Sequence, residues 1–293
     1  MGTKPNLTQL IKSDGKLELT KVGINNASTF TGFCTYHDGK IFSPLENDPI
    51  TLSDEQLFLL AYRSVTRELY LKEGSGEYAD LMKEADRGMD IAKQLFIQSI
   101  ANGYSQGVDL ALSELNHIKS AMDQMLLSRD FSKINHFVVE LSNVPAVLVS
   151  ASTQPEFDFL GARLQALGQY DTPMSHIIFN CISYDSSGCF VFSWLNEHDA
   201  ICAQFVDSLS SFPPQELGDA LIRFCYSYAE NTWASPTWWN SLNVRAREDI
   251  SKRLHHGVPI PAPNDCLVRD GVQFNAYQVA GSNYRRSQRA RQA

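Results

Sequence analysis

Hydrophobic positions change period twice along this chain, and each change marks a different kind of structure. From Ser53 onward, Leu57, Leu60, Ala61, Val65 and Leu69 recur every three or four residues, as one face of a helix does. Ser53 followed by Gln56 is a capping-box pattern, so a helix is expected over about 54–72. Arg63 and Arg67 lie one turn apart on it, as a phosphate clamp or an ion-paired face. A second helix is expected from near Tyr78 to Ala101, with Leu81, Ala85, Met89, Ala92, Leu95 and Phe96 buried and Asn102-Gly103 as its stop. A third, from Ser105 to about Arg129, carries Val108, Leu112, Leu115, Ile118, Met122, Met125 and Leu126 at near-heptad spacing, and the short connection folds the two together. Its stripe is covered either by the neighbouring helix alone or also by a second chain. Cover is expected to be thinnest at Met125.

Beyond Phe131 the period falls towards two. Phe137 to Leu141 and Ala146 to Ser150 read as valine-rich strands parted by Asn143 and Pro145. His176 to Tyr184 and Cys189 to Leu195 flank Asp185-Ser186-Ser187-Gly188 and form a hairpin, with Ile177, Phe179 and Cys181 on one face and Phe190, Phe192 and Trp194 on one face of its partner. Helical signals return at Pro213-Pro214 and at Ser235-Pro236, the latter leading into Trp238, Trp239 and Leu242. From Pro259 the prolines and the extended QFNAYQVAG read as a strap over the body. The expected class is α+β, with a long helical hairpin in the first half and a small antiparallel sheet with flanking helices in the second. Four segments follow: 1–50 as a zinc-knuckle-like opening element, 51–130 helical, 131–260 α+β, and 261–293 as extended strap and basic tail.

Composition narrows the setting. The 293 residues are 43% hydrophobic and 20% charged, as in ordinary soluble domains. No apolar run reaches the roughly eighteen residues of a membrane span, and the polar start MGTKPNLTQL lacks the apolar centre of a signal peptide. A cytoplasmic protein with no membrane partner is expected. The six cysteines, 34, 181, 189, 202, 225 and 266, are scattered through apolar surroundings, so no disulfide framework is expected. A net charge of -8 argues against indiscriminate coating of nucleic acid, yet the end YRRSQRARQA carries Arg285, Arg286, Arg289 and Arg291 without an acid. That tail is either a contact for nucleic acid or an acidic partner, or a solvated end.

Chemistry gathers in Ala27–Glu46, where a thiol, an imidazole and carboxylates crowd among glycines and aromatics. Cys34 and His37 have a Cys-x-x-His spacing that can place sulfur and nitrogen on one zinc ion, while Asp38 and Glu46 are hard ligands or a general base. That is half a site, because no Cys or His precedes Cys34. The competing reading makes Cys34 a small buried hydrophobe beside Phe30, Phe33 and Tyr36, with His37 and Asp38 at the tip of a turn. Farther on, Arg129 is followed by His136 after six intervening residues, at what also reads as the ordinary cationic end of a helix. Phosphate-cradling glycine loops, G-x-S-x-G elbows and H-E-x-x-H helices are absent from the sequence, which removes the easily recognised NTPases, hydrolases and metalloproteases.

The stretches GFCTYHDGKIFSPLE, LLAYRSVTREL and AENTWASPTWWNSL resemble an uncharacterised family of bacterial proteins that share GFCxxHD, FxP[IL]E, LLAYRxxxREL and ENTxxxPxWWxSL elements. In longer relatives the first element follows upstream cysteines and a histidine, similar to treble-clef or HNH-type zinc folds; the thirty-three residues before Cys34 hold neither. Arg129 and His136 resemble the pair of HEPN-type helical ribonucleases, although the valine-rich run after His136 reads as a strand rather than a closing helix. The favoured expectation is an interaction or scaffold protein that binds a protein partner or forms a homodimer, with anti-phage defence as the setting the resemblance implies. The alternative is a nuclease, metal-dependent through His37, Asp38 and Glu46 or metal-free through Arg129 and His136.

Overall fold

The computed structural model describes residues 1–2, 19–27, 31–166, 173–255 and 263–285. The helical turn read in NLTQLIK, the prolines at 259 and 261, and the arginines beyond Arg285 lie outside the described residues. The opening element contributes two short helices, α1 (Thr35–Ile41) and α2 (Ser43–Glu46). Then come the long helices α3 (Asp54–Glu84) and α4 (Ile91–Ser128), and the strands β1 (Ile134–Leu141), β2 (Val147–Thr153), β3 (Ile177–Tyr184) and β4 (Ser187–Leu195). After them run α5 (Asp199–Ser210), α6 (Pro214–Tyr228), β5 (Thr232–Ala234), α7 (Pro236–Ser241), α8 (Val244–Arg253) and β6 (Val279–Arg285).

The six strands form one antiparallel sheet in the order β5-β2-β3-β4-β1-β6. Alternation decides which side each residue serves. Phe137, Val139, Phe179, Phe190, Phe192 and Trp194 face α5, α6 and α8, where Phe205, Leu221 and Phe224 complete the larger core. Ile134, Ile178 and Leu195 face α3 and α4 instead, against Phe58, Tyr62, Ile118 and Met122. Hence the central strands are apolar on both faces, and the hairpin and the C-terminal helices enclose the sheet between them. Cys181 and Cys189 belong to opposite faces, so these two thiols do not share a site.

The helical half differs from the expected three helices. Asn102-Gly103 does not stop anything: α4 runs on through Gly103 and Gly107, neither of which has positive φ. Each glycine costs about 1 kcal/mol relative to alanine, which a helix of 38 residues tolerates. The true turn is at 85–90, where Gly88 takes φ 83° and the Asp90 side chain caps α4 by accepting from the Lys93 N–H at 3.1 Å. At the far end Arg129 takes the left-handed conformation (φ 52°) and closes the helix on the Met125 carbonyl. Met125 itself is 2% exposed, in the core with Phe58 and Ile134. Cover is therefore complete at Met125 and thin at the opposite end.

Gln56 joins the opening element to α3, but not as a capping box. The Ser53 hydroxyl accepts from the Gln56 N–H, while the Gln56 side chain accepts from the Thr51 N–H and donates to the carbonyls of Pro44 and Pro49. At the other end of the chain the Trp238 indole donates to the Phe274 carbonyl, and Arg253 binds Asp249 and Asp270, so the strap is held by buried polar contacts.

Candidate functional site

The opening element is built around an arginine. Phe33 and Phe42 pack edge to face at 5.5 Å and tilt against Tyr62, which lays α1 and α2 along α3. Asp38 and Glu46 then face Arg63, whose Nη2 lies 3.8 Å and 2.5 Å from them and whose guanidinium stacks 4.1 Å over Phe42. Three of the four sequence elements, those that hold Asp38, Glu46 and Arg63, thus meet at Arg63. The fourth comes near one turn further along α3, where burial pushes the Glu68 carboxyl up to about 7, Arg67 and Lys72 oppose that rise, and Glu230 adds to it.

Cys34 is exposed, contrary to the reading that buries it, because α1 has no buried residue and only its flanking phenylalanines turn inward. Its Sγ stands 3.2 Å from His37 Nδ1. The residues do not fit a zinc ion. Asp38 and Glu46 are engaged by Arg63, and among the described residues no three His, Cys, Asp or Glu side chains are grouped to hold a metal.

Arg129 and His136 have different surroundings. Arg129 is a surface residue paired with Glu55 at 2.7 Å. His136 lies inside the sheet, 3% exposed, with Nδ1 2.8 Å from Ser193 Oγ and no hydrogen-bond partner for Nε2. Burial, helped by Arg285 on β6, pushes its imidazole down to about 3, so it is neutral at any physiological pH.

Sequence reasoning missed a cavity of about 670 Å³ where α4 meets the segment leading into β3. Leu110, Ile118, Pro173 and Met174 form its apolar wall, and Glu114, His117, His176, Glu197 and His198 supply the ionisable groups. Glu114 Oε2 accepts from Gln154 at 2.7 Å and lies 2.9 Å from His176 Nε2, while Oε1 accepts from the Met174 N–H at 3.0 Å. Burial pushes this carboxyl up, but the contacts from His176, Met174 and Gln154 outweigh it and hold the group below the usual range. On the rim, Glu197 Oε1 stands between two imidazoles, 2.9 Å from His117 Nε2 and 3.8 Å from His198 Nε2. Burial and the neighbouring His176 push His198 down. The one sequence signal was Glu114, a carboxylate four residues before Ile118 and therefore on the apolar stripe.

The last feature is the far half of the hairpin. No described side chain between Ile91 and Ile100 is buried, and Leu81, Met89, Ile91, Leu95, Phe96, Ile100 and Tyr104 are all exposed, Ile91 at 76% and Phe96 at 67%. No protein family, curated protein or solved structure matches the chain. Among the described residues no helix is long and apolar enough to cross a membrane.

Proposed function

We propose that this is an interaction protein that docks a protein partner on the far half of its α3–α4 hairpin. The observation that supports it is the concentration of seven exposed large apolar side chains on that end. At 36% to 76% exposure they offer on the order of 700 Å², counting a large side chain in the lower half of about 150–250 Å². A standard interface needs about 800 Å² per partner. Scattered apolar residues need no explanation, whereas seven large ones gathered at one end of a hairpin are the kind of apolar surface that binding sites use. A photo-crosslinking residue placed at Ile100 in the living cell tests the reading. It is expected to give a discrete adduct, and the same residue at Leu127, 80% exposed at the other end of α4, is expected to give none. Equal labelling from both positions would reject it.

A second reading is favoured by the cavity. One carboxylate oxygen between two imidazoles is an arrangement able to hold and move a proton, so His117 and His198 would serve as acid and base towards a small bound molecule, with Glu197 orienting them. A thermal-shift screen of wild type against Glu197→Gln tests it: a compound that stabilises both equally does not use this group.

A further inference from the structure

On the docking reading above, we infer that the partner is a second copy of this chain, with the two α4 helices paired antiparallel. Ala92, Phe96, Ser99, Gly103 and Gly107 follow one another at three- and four-residue spacing, with Ile100 four residues after Phe96 and three before Gly103, so the six share one face of α4. The face is asymmetric along its length. Its first half carries the large Phe96 and Ile100, and its second half carries Gly103 and Gly107, where an added Cβ would meet nothing within 4 Å.

A parallel pair would set phenylalanine against phenylalanine and leave the glycines facing each other across a void. An antiparallel pair with its two-fold axis near Ser99 sets each Phe96 over the Gly103 of the other copy, large into small at both ends, as an isologous interface requires. The charge pattern agrees. Between Lys93 and Asp109 the sequence holds no Asp, Glu, Lys or Arg, so pairing this face with its own copy buries no charge and opposes no like charges. The pairing would complete a four-helix arrangement of two hairpins.

The test is a size exchange across the two-fold. Multi-angle light scattering is expected to show a dimer for wild type at micromolar concentration. Phe96→Ala removes the large partner and Gly103→Phe removes the hollow, and each is expected to weaken dimerisation by about thirty-fold or more. The double variant restores one large and one small residue at every contact and is expected to return to within about three-fold of wild type. Circular dichroism reports whether each variant is folded; should Gly103→Phe misfold, Ile100→Asp replaces it as the disrupting change. Single losses without recovery in the double variant would overturn the antiparallel register. A wild-type monomer whose Ile100 crosslink joins a different protein would overturn the second copy and leave the docking reading standing. The absence of any adduct at Ile100 would remove the docking reading itself.

Discussion

Glu114 Oε2 and His176 Nε2 stand 2.9 Å apart with both side chains more than nine-tenths buried, so each is a principal polar partner of the other in the wall of the cavity. Removing the carboxylate leaves the buried donors it held without an acceptor, at a cost of about 3 kcal/mol. Glu114→Ala is expected to lose that much, and Glu114→Gln, which keeps the shape, about 2 kcal/mol. The Glu114 carboxyl is held below its ordinary value, so its contribution is present above about pH 4.5 and is lost as pH falls. Urea titrations at pH 7.5 and pH 3.5 check this. A gap between wild type and Glu114→Gln that is the same at both pH values would discard the charge account.

Glu68 gives the opposite sign. Its folded value of about 7 lies above the ordinary carboxylate value, so folding favours the protonated form, and that stability is lost as pH rises from about 4.5 to 7. Glu68→Gln should therefore match wild type near pH 4.5 and melt at a higher temperature at pH 8. The side chain remains 25% exposed, which limits the size of the gain and not its direction. Melting curves in which Glu68→Gln is the less stable protein at pH 8 would reverse the assignment.

The contrast between Glu114 and Glu68 also shows what the sequence makes readable. Periodicity reports burial, so the helix beginning at Asp54 and the alternating strands β3 and β4 are legible residue by residue. Strands β5 and β6 are not, because Thr232–Ala234 is too short for a pattern and Val279–Arg285 holds Gly281, Ser282 and Asn283, so both owe their conformation to pairing with β2 and β1. Asn102-Gly103 misleads for a related reason: a glycine is a stop signal only where φ turns positive, and here that happens at Gly88. The cavity groups Glu114, His176 and Glu197 come from three elements separated by at least twenty residues, and only the tertiary fold joins them.

His136 and Ser193 form a buried polar contact that an apolar pair can replace. A neutral imidazole held at about 3 in the fold and near 6.5 when unfolded contributes stability above pH 6.5 that is lost as pH falls towards 3. Replacing both partners by His136→Phe with Ser193→Ala removes that loss, together with the unpaired Nε2. The double variant should gain on wild type by about 2–3 kcal/mol between pH 6.5 and pH 4.5, at about 1.4 kcal/mol per pH unit. Denaturant midpoints at the two pH values decide it, and parallel acid sensitivity would show that His136 is not the group being titrated.

The two ends of α4 make opposite predictions for the same kind of substitution. Met125 is 2% exposed and packs in one core with Phe58 and Ile178, so Met125→Lys places an ammonium with no partner inside that core and should cost about 3–5 kcal/mol, unfolding the protein well below the wild-type melting temperature. Ile100 is 45% exposed, and Ile100→Asp should change the stability of a single chain by no more than about 0.5 kcal/mol while abolishing association. Circular dichroism melts at low concentration separate the two effects from dimer dissociation, since a dimer's stability depends on protomer concentration and a core defect does not. A Met125→Lys protein that stays folded and merely becomes monomeric would place the interface at the wrong end of the helix.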